Sequence, residues 1–532
     1  MSATPDAVVI GSGPNGLVGA NLLADEGWDV LVLEAQPDPG GAVRSGELTE
    51  PGFIHDRFSA FYPLAAASPV IRGLGLEEFG LRWRRAPLAL ANPTSDSGCA
   101  VLSTDVDETA ASLDNYAPGD GAAWRELYAR WQRVGRHLVD ALLTPFPPVL
   151  AGARLAAALG PREWARFARF VLLPVRAMAN ETFSGEGGAL LLAGNTLHTD
   201  LGPEQTLGGL FGWVLASLGQ EHGFPVPEGG AGRLTDALVR RLEARGGQVI
   251  CSTAVTSVEV RGRRAVAVRT EHGDEIGVGR AVLADVGAPA LYGSLVRAEH
   301  LPARVVDGMR GFTYDQATVK IDWALDGPVP WSAEPARRAG TVHLGDSLDH
   351  LSEVSAQLAT GRIPDRPFVL IGQMTTSDPT RSPAGTESLW GYTHVPHRAR
   401  GDAGGDLTGK WDERETDVFV ARVERELEAR APGFADRVVG RSVLTPPMLE
   451  AADANLVGGA VNGGTAQLHQ QLIFRPTLGL GRAETPIRGL FLASASAHPG
   501  GGVHGACGAN AARAALGPRV WTSPATRRAI RR

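Results

Sequence analysis

Three glycines and one acid near the N-terminus have the types and spacing of a dinucleotide-binding turn. Gly11, Gly13 and Gly16 follow a short apolar run, and Glu34 ends the next apolar run. In such a turn the first glycine permits the tight bend, the second lets the backbone approach a pyrophosphate, and the third allows close helix packing. N–H groups at a helix N-terminus bind phosphate, and an acid at this distance accepts ribose hydroxyls. The pattern predicts a dinucleotide site; the alternative is a glycine-rich turn that binds nothing.

The elements that must position these residues are visible in the hydropathy pattern. Ala7–Ile10 and Val30–Leu33 are predicted strands, because both are short and apolar. Between them, apolar residues recur at helical spacing as far as Gly27, which is a predicted helix end. Strand, glycine turn, helix, strand and acid therefore occur in the order of a βαβ nucleotide-binding unit.

A second glycine-rich turn lies near the C-terminus. Gly489–Ser494 is a predicted strand, and Ala506–Leu516 is a predicted helix of small residues. The loop between them contains three consecutive glycines, Gly500, Gly501 and Gly502. Such a helix N-terminus favours bound anions.

Two histidines of this loop, His498 and His504, are the predicted catalytic residues. An unperturbed histidine titrates near neutral pH and can therefore handle a proton. The alternative for His498 is that it only packs the turn before Pro499.

The composition argues against several other classes of function. The chain has 532 residues and a net charge of −7, so we expect no nucleic-acid partner. Its three cysteines, Cys99, Cys251 and Cys507, form no C-x-x-C pattern, so we expect neither dithiol chemistry nor a metal site. The N-terminus has no signal-peptide pattern, and no apolar run reaches the ~18 residues of a membrane span. We therefore expect a cytoplasmic protein.

A glycine pair after the second strand distinguishes between two cofactors. Gly40, Gly41 and Arg44 stand where a domain for NAD has a further regular helix and strand, so this segment favours FAD. The alternative for Arg44 is a solvated surface arginine.

These motifs resemble those of the phytoene desaturase-like and amine oxidase-type FAD oxidoreductases. The sharpest match is His498-Pro-Gly-Gly-Gly-Val503-x-Gly505-x-x-Gly508, which most resembles the branch named pyridine nucleotide-disulfide oxidoreductase domain-containing protein 2. The resemblance spans nearly the whole chain and is strongest over 7–62, 225–290 and 455–516. One departure is Ser494-Ala495-Ser496, which stands where many relatives have Gly-Asp.

The resemblance implies a set of FAD-binding residues. The Gly40–Arg44 segment would run beneath the pyrophosphate, and the backbone at Val255 would bracket the adenine. The predicted cofactor-binding residues are Gly11, Gly13, Pro14, Asn15, Gly16, Glu34, Ala35, Gly40, Gly41, Ala42, Arg44, Val255, Ala284, Pro499, Gly500, Gly501, Gly502 and Val503.

The resemblance also implies residues near the substrate. His55, Asp56 and Tyr62 would lie by the flavin and the substrate entrance; the alternative is that they are ordinary polar loop residues. Amine oxidases often use a lysine near the flavin, but the sequence does not place Lys320 there, and it is not among the predicted site residues.

The expected fold is α/β, with a Rossmann-like FAD-binding domain assembled from discontinuous segments and an α+β substrate domain that includes a helical lobe. The FAD-binding parts are 1–90, 225–290 and 455–532. The substrate domain comprises a helical part, 91–224, and a strand and helix part, 291–454.

Several elements of these parts can be predicted individually. Predicted helices are Trp124–Leu143, Pro161–Arg176, Leu234–Arg245 and Glu413–Arg430, and Thr318–Trp323 is a predicted strand. A β-meander is predicted over Val249–Cys251, Val255–Val260, Ala265–Thr270 and Ile276–Val278. The stretch Trp164–Pro174 mixes arginine with large apolar residues and favours a core helix over one on a membrane surface.

Three functions follow from these observations. The first is an FAD-dependent desaturase or dehydrogenase, or the reverse saturase, acting by hydride transfer on a hydrophobic isoprenoid or acyl substrate, with oxygen or a quinone as electron acceptor. The second is an amine or amino-acid oxidase that produces hydrogen peroxide. The third is a non-catalytic, prenyl-binding escort protein of the same fold. Peripheral contact with a membrane is compatible with the first.

Overall fold

The computed structural model describes residues 4–96 and 98–517. The strands of these residues are β1 Ala7–Ile10, β2 Val30–Leu33, β3 Ser45–Glu47, β4 Ile54–Asp56, β5 Trp83–Arg84, β6 Leu88–Pro93, β7 Cys99–Leu102, β8 Val226–Pro227, β9 Gln248–Ile250, β10 Val255–Arg261, β11 Arg264–Thr270, β12 Glu275–Gly277, β13 Ala281–Ala284, β14 Ala317–Leu325, β15 Ala339–Leu344, β16 Arg362–Ile363, β17 Val369–Gln373, β18 Glu387–Val395, β19 Gly401–Asp402, β20 Val438–Leu444 and β21 Leu490–Leu492.

The α-helices follow the same chain order. They are α1 Pro14–Asp25, α2 Pro63–Ala67, α3 Pro69–Gly73, α4 Val106–Asp114, α5 Asp120–Leu143, α6 Val149–Leu159, α7 Trp164–Leu172, α8 Val175–Thr182, α9 Glu186–Thr196, α10 Gly208–His222, α11 Gly232–Glu243, α12 Ala288–Ala290, α13 Ala303–Arg310, α14 Leu348–Ala359, α15 Met374–Ser377, α16 Glu413–Glu428, α17 Pro446–Ala452 and α18 Ala506–Leu516. In the part of the chain that the structure describes, no helix is long and apolar enough to cross a membrane.

A five-stranded parallel sheet brings together distant parts of the chain. Its strand order is β21-β13-β1-β2-β9, so the N-terminus, the middle and the C-terminus all contribute. The strands are short runs of apolar residues and β1 and β13 are wholly buried, as expected for a parallel sheet covered on both faces. This arrangement confirms the predicted Rossmann-like domain built from discontinuous segments. The residue bounds of the domains stay a prediction.

A second sheet of seven strands lies in the predicted substrate domain. Its order is β20-β14-β18-β17-β15-β6-β7, with only the β15–β6 pair parallel. The amphipathic helix α16 covers one face, where Phe419 and Trp323 are completely buried. Strand β14 extends two residues beyond the predicted Thr318–Trp323 at its C-terminal end.

The helical lobe surrounds a cluster of aromatic rings. The ring of Trp213 on α10 meets Trp131 of α5 at 5.5 Å and Phe170 of α7 at 5.0 Å, both edge to face. Phe170 is buried, while Trp164 and Leu172 are half exposed. Helix α7 therefore packs into the core of the lobe, as the favoured prediction states.

The prediction of one helix over Pro161–Arg176 is wrong. The structure has α7 and α8 instead, and the chain is extended at Leu173, immediately before Pro174. A residue that precedes proline disfavours helical conformation, so the break is encoded locally. Pro161 lies in the turn before α7 rather than in its first turn.

The predicted four-stranded meander is also wrong in its first strand. Strand β9 pairs in parallel with β2, and only β10, β11 and β12 form the antiparallel meander. The helix α11 precedes β9 and returns the chain to the edge of the parallel sheet, which is the usual connection between parallel strands.

Candidate dinucleotide site

The first glycine turn leaves no room for side chains. Gly11 has a φ of +91°, and its N–H donates to the Leu33 carbonyl at 2.8 Å. A Cβ on Gly16 would lie 2.3 Å from the Gly11 carbonyl oxygen. Helix α1 begins at Pro14, directly after Gly13, and proline suits the first helical position because it lacks an N–H. The turn therefore has the close helix–strand packing that the sequence predicts.

Glu34 lies at the end of β2, and its carboxylate faces this turn. Oε2 accepts hydrogen bonds from the backbone N–H and the hydroxyl of Ser12, at 2.8 and 2.6 Å. Oε1 accepts from the backbone N–H of Gln36 at 2.9 Å. A carboxylate has about four acceptor sites, so one remains for a ribose hydroxyl.

We predict that Glu34→Gln raises the dissociation constant of the bound dinucleotide about tenfold. Glutamine replaces one acceptor oxygen with an NH2 group, which can only donate, so either a donor of the protein or the ribose hydroxyl loses its acceptor. Fluorescence titration of the cofactor-free protein measures this. Glu243→Gln, at the exposed end of α11, is the matched control and should change nothing. Equal affinities for the two variants would contradict the role of Glu34.

The glycine pair after β2 lies against the first turn. Gly40 donates its N–H to the Ser12 carbonyl at 3.1 Å, and a Cβ on Gly41 would lie 3.1 Å from the Cα of Gly13. Arg44 is only 7% exposed, so it is not a solvated surface arginine. Its guanidinium donates to the carbonyls of Gly41 and Ala452, at 2.9 and 3.0 Å. The segment is thus held beneath the turn, and Ala42 lies within it.

The C-terminal helix α18 meets α1 at a backbone contact. A Cβ on Gly508 would lie 1.8 Å from the Asn15 carbonyl oxygen. The hydroxyl of Ser68 donates to the His504 carbonyl at 2.7 Å, which fixes the end of the preceding loop. Val503 is half-buried against the same core. The structure therefore brings the two glycine turns of the sequence together.

A buried arginine holds the beginning of the C-terminal loop. Arg475 is 1% exposed and donates to the carbonyl oxygens of Ala495 and Thr465, the former at 2.7 and 3.0 Å. Its guanidinium lies 3.2 Å from the position of a Cβ on Gly500. Nothing in the local sequence distinguishes Arg475 from the other arginines, so sequence reasoning missed it.

The other predicted cofactor residues lie around the same sheet edge. Ala284 ends β13 in register with Ile10, and Val255 begins β10, two residues after Thr253, whose N–H donates to the Glu34 carbonyl. Ala35 is exposed. Pro499, Gly500, Gly501 and Gly502 lie in the loop between β21 and α18.

An unpredicted acid, Asp285, occupies the centre of the first turn. It follows β13, is buried, and accepts a hydrogen bond from the Gly16 N–H through Oδ2 at 2.7 Å. The same oxygen would lie 2.7 Å from a Cβ on Gly13. Burial raises the pKa of Asp285 to about 7; the Gly16 hydrogen bond lowers it, while Asp453 and Glu34 raise it further.

The two predicted catalytic histidines differ in their surroundings. His498 Nε2 lies 3.1 Å from the Thr144 carbonyl, so this nitrogen carries the proton and donates. His498 Nδ1 has no hydrogen-bond partner within the described residues. His504 Nδ1 accepts from the Ala506 N–H at 3.0 Å. Burial lowers the pKa of both, that of His504 to about 4, so both are neutral at pH 7.

The three predicted substrate residues are all buried. His55 is completely buried, with Nε2 2.8 Å from the Thr49 hydroxyl and Nδ1 3.1 Å from the Ser388 hydroxyl. Asp56, also buried, forms an ion pair with Arg381 at 2.6 Å. Tyr62 donates to the Ser59 carbonyl at 2.8 Å. All three therefore have bonds within the protein, and contact with a substrate stays a prediction.

Lys320 forms a second buried ion pair close to the first. It lies on β14, contacts Asp322, and is 2% exposed. Burial lowers the pKa of Lys320, and the attraction of Asp322 opposes that shift. Asp322 lies 3.5 Å from His55 Nδ1, which connects this pair to the predicted substrate residues.

The turn fits a dinucleotide on its own geometry. Side chains are excluded at Gly11, Gly13 and Gly16, and the Gly41 segment closes the turn from below. The Asn15 side-chain oxygen, buried at the first turn of α1, has no hydrogen-bond partner within the described residues. Residues 9–73 also match the family model described as an NAD(P)-binding Rossmann-like domain.

Comparison with known proteins extends this similarity to nearly the whole chain. The rat pyridine nucleotide-disulfide oxidoreductase domain-containing protein 2 is 29% identical over 95% of this chain and 92% of its own length. The neurosporene-forming phytoene desaturase of Rhodobacter capsulatus is 23% identical over 93% and 91%. Cyclohexylamine oxidase from Brevibacterium oxydans has the same fold, with a TM-score of 0.58 at 16% identity over 96% of this chain and 99% of its own. Together with the glycine turn, these similarities identify the chain as an oxidoreductase with a Rossmann-type dinucleotide-binding domain, similar to the phytoene desaturase-like and amine oxidase-type proteins.

Proposed function

We propose that the chain binds FAD and oxidises or saturates a hydrophobic substrate by hydride transfer. The observation that carries this proposal is the contact between α18 and the first turn of α1. Because of it, a dinucleotide held at Glu34 and the first turn would continue directly to the loop of Gly500–Gly502. Such continuity suits FAD, whose flavin lies at the far end of the pyrophosphate from the adenine.

The protein's part in this reaction is to bind, orient and exclude water. When bound, the flavin would accept or donate the hydride. The N-terminus of α18 would present a positive dipole end to the flavin, which favours its reduced form. The hydroxyls of Ser494 and Ser496 are engaged within the loop, the latter donating to the Gly463 carbonyl at 3.0 Å. Backbone N–H groups of the loop would therefore make the ribityl contacts that the Gly-Asp of many similar flavoproteins makes.

His498 is the best-placed group for a proton at this loop. Its Nδ1 is an unpaired acceptor, since Nε2 donates to Thr144. With a lowered pKa it stays neutral and can accept a hydrogen bond or proton at physiological pH.

The substrate class is inferred from chemistry and similarity. Hydride transfer from an unactivated carbon needs no charged group on the protein. A phytoene desaturase acts on an isoprenoid hydrocarbon, which supports an isoprenoid or acyl substrate here, with oxygen or a quinone as the electron acceptor. Because the relatives are oxidoreductases, we do not retain the non-catalytic escort function.

We expect purified protein to be yellow, with a flavin absorption spectrum and FAD released on denaturation. The holoprotein should then be bleached anaerobically by isoprenoid or acyl candidates and not by a panel of amines. Bleaching by amines, with hydrogen peroxide on admission of air, would favour the amine oxidase. Protein that stays colourless after incubation with FAD, yet binds NAD, would overturn the proposal.

A further inference from the structure

One face of the seven-stranded sheet is polar although it is buried. On β14, Lys320 and Asp322 alternate with apolar residues, so the two charged side chains share a face. Helix α16 packs on the other face, against Trp323. Tyr392 of β18 is directly opposite Lys320 in the register, so its side chain shares the polar face. Burying polar groups is unfavourable unless they have partners, so the partners on this face show what it can bind.

Two histidines continue from Tyr392 as a chain of hydrogen bonds. The Tyr392 hydroxyl lies 3.0 Å from Nδ1 of His198, which follows α9. His198 Nε2 lies 3.2 Å from Nε2 of His343 on β15. The register pairs His343 with Leu370 of β17, and Leu370 with Tyr392, so His343 also lies on the polar face. The sheet therefore contributes two members of the chain and the helical lobe one.

The direction of this chain follows from the protonation of its two imidazoles. Burial lowers the pKa of His198 to about 3 and that of His343 well below its ordinary value, so each ring carries one N–H at pH 7. His343 Nδ1 has no hydrogen-bond partner within the described residues, and a Cβ on Gly194 would lie 2.4 Å from it. A proton there would be a buried donor without an acceptor, so it belongs on Nε2 and is donated to His198. His198 then carries its own proton on Nδ1 and donates to the Tyr392 oxygen.

The hydroxyl proton of Tyr392 is thus left to point elsewhere. Within residues 4–96 and 98–517, His198 is the only hydrogen-bond partner of this hydroxyl. The side chains of Tyr392 and His198 are only partly buried, yet burial raises the pKa of Tyr392. Their exposed atoms therefore face an interior space rather than bulk solvent. The chain presents to this space one O–H donor, which the aligned hydrogen bonds behind it strengthen.

This space is connected to the C-terminal glycine loop through aromatic and apolar side chains. The ring of Tyr392 contacts that of Trp390 at 5.1 Å, and Trp390 contacts Phe61 at 6.2 Å. Leu64, three residues after Phe61, lies 2.8 Å from the position of a Cβ on Gly502. An apolar ligand that starts at the loop could therefore extend to the hydroxyl of Tyr392.

A second connection runs from the other end of α9. Asp200, two residues after His198, accepts a hydrogen bond from the Ala466 N–H at 2.7 Å. The carbonyl of Thr465 accepts at 2.9 Å from Arg475, the arginine that holds the C-terminal loop. The chain of hydrogen bonds and the loop are thus fixed to each other on two sides.

The charges around Tyr392 determine which acceptor fits. Lys320, directly across the sheet, is already paired with Asp322. His394, the next residue on the same side of β18, is neutral at pH 7 because burial lowers its pKa. A carboxylate or phosphate here would be a buried anion without a free counter-ion among these neighbours, which is costly. A neutral carbonyl oxygen needs only the O–H of Tyr392.

We propose that Tyr392, oriented by His198 and His343, donates a hydrogen bond to a neutral carbonyl oxygen of the substrate. The substrate class is then a lipid that carries a ketone, an enone or an ester group, rather than a pure hydrocarbon. His198 and His343 are positioning residues, because they act through Tyr392. This inference rests on the proposed function and deepens it by naming the group that is recognised.

Calorimetric titration with three probes of equal chain length tests this. The ketone 2-tridecanone, the alkane tridecane and the carboxylate tridecanoate are each added in cyclodextrin to the full-length holoprotein. We expect the ketone to bind most tightly. Tyr392→Phe removes only the hydroxyl and should weaken binding of the ketone about tenfold while leaving that of tridecane unchanged. Tyr128→Phe, on α5 in the helical lobe, is the matched control and should bind all three probes like the unmodified protein.

Infrared spectroscopy measures the hydrogen bond itself. With a carbon-13 label at the carbonyl of 2-tridecanone, the C=O stretch should lie at lower frequency in the unmodified protein than in Tyr392→Phe. His343→Phe keeps a ring but removes the N–H that orients His198, so Tyr392 can turn its proton to His198 and the frequency should rise. His343→Gln, whose amide also donates, should retain the lower frequency. A purely structural role of His343 would not produce this difference.

Four results would overturn the proposal. These are equal affinity for the ketone and the alkane, tighter binding of tridecanoate than of the ketone, an unchanged C=O frequency in Tyr392→Phe, and no binding of any probe. Thermal unfolding shows that each variant is folded. Neither the titration nor the C=O stretch depends on flavin chemistry, whereas colour and bleaching test the proposed function. A failure of carbonyl recognition is therefore distinguishable from a failure of the proposed function.

Discussion

Replacing Gly508 with alanine is expected to abolish retention of the dinucleotide and to destabilise the fold. A Cβ at this position would lie 1.8 Å from the carbonyl oxygen of Asn15 and 2.6 Å from its carbonyl carbon. Both are backbone atoms, so no side-chain rotation can relieve the overlap. Helices α1 and α18 must separate, and the first turn of α1 moves with them. We expect a loss of about 3 kcal/mol or more in the free energy of unfolding, at the upper end for overpacking.

Absorption spectroscopy and denaturant unfolding of the purified variant measure these two effects. The matched control is Gly152→Ala on α6, where a Cβ meets nothing within 4 Å. This change should leave cofactor content intact and stabilise the helix by up to about 1 kcal/mol, since alanine is the better helix former. A Gly508→Ala protein that behaves like the control would show that the contact between α1 and α18 does not shape the site.

The local parts of the site could be predicted from the sequence. Helix α18 has the predicted bounds, because a run of small residues lies between two glycines that favour its ends. The first turn and Glu34 could be predicted because glycine spacing and the following acid lie within one βαβ unit. The prediction failed at β9, where the apolar run is only three residues long. So short a run does not show whether the strand joins the edge of a parallel sheet or an antiparallel meander.

The remainder depends on contacts between distant residues. The Gly16 N–H bonds to a carboxylate 269 positions later in the chain, and Asp56 pairs with Arg381 across two domains of the predicted division. No periodicity or motif encodes such a pair, because each partner alone resembles an ordinary charged residue. Burial converts them into positioning groups, and burial is a property of the assembled fold.

The carboxyl of Asp285 should make the stability of the protein depend on pH near neutrality. An unfolded aspartate has a pKa of about 3.9, while burial raises that of Asp285 to about 7. The folded protein therefore binds more protons than the unfolded chain between these values. The contribution to stability is fully present below about pH 4 and is lost as the pH rises through 7. At about 1.4 kcal/mol for each unit of pKa difference, the loss is on the order of 4 kcal/mol.

Asp285→Asn should remove this dependence. The amide oxygen can still accept from the Gly16 N–H but carries no charge above pH 7. We expect the variant to be relatively more stable at pH 8 than at pH 5 when each is compared with the unmodified protein. Denaturant unfolding from pH 5 to pH 8 measures the free energy of unfolding of both proteins. The contributions of the other titrating groups cancel in the difference between the two. Asp274→Asn, on the exposed turn between β11 and β12, is the control and should follow the unmodified curve.

Dinucleotide binding should be coupled to the same carboxyl. A bound pyrophosphate adds negative charge beside Asp285, Glu34 and Asp453, which favours the protonated form of Asp285. Binding near pH 7 should therefore take up a proton from solution, which calorimetry in buffers of different ionisation enthalpy detects. In Asp285→Asn the uptake should disappear. The prediction would be contradicted if the unmodified protein and Asp285→Asn had parallel curves of stability against pH and took up equal numbers of protons on binding. Asp285 would then stay ionised, and the N-terminus of α1 would face both its carboxylate and the pyrophosphate.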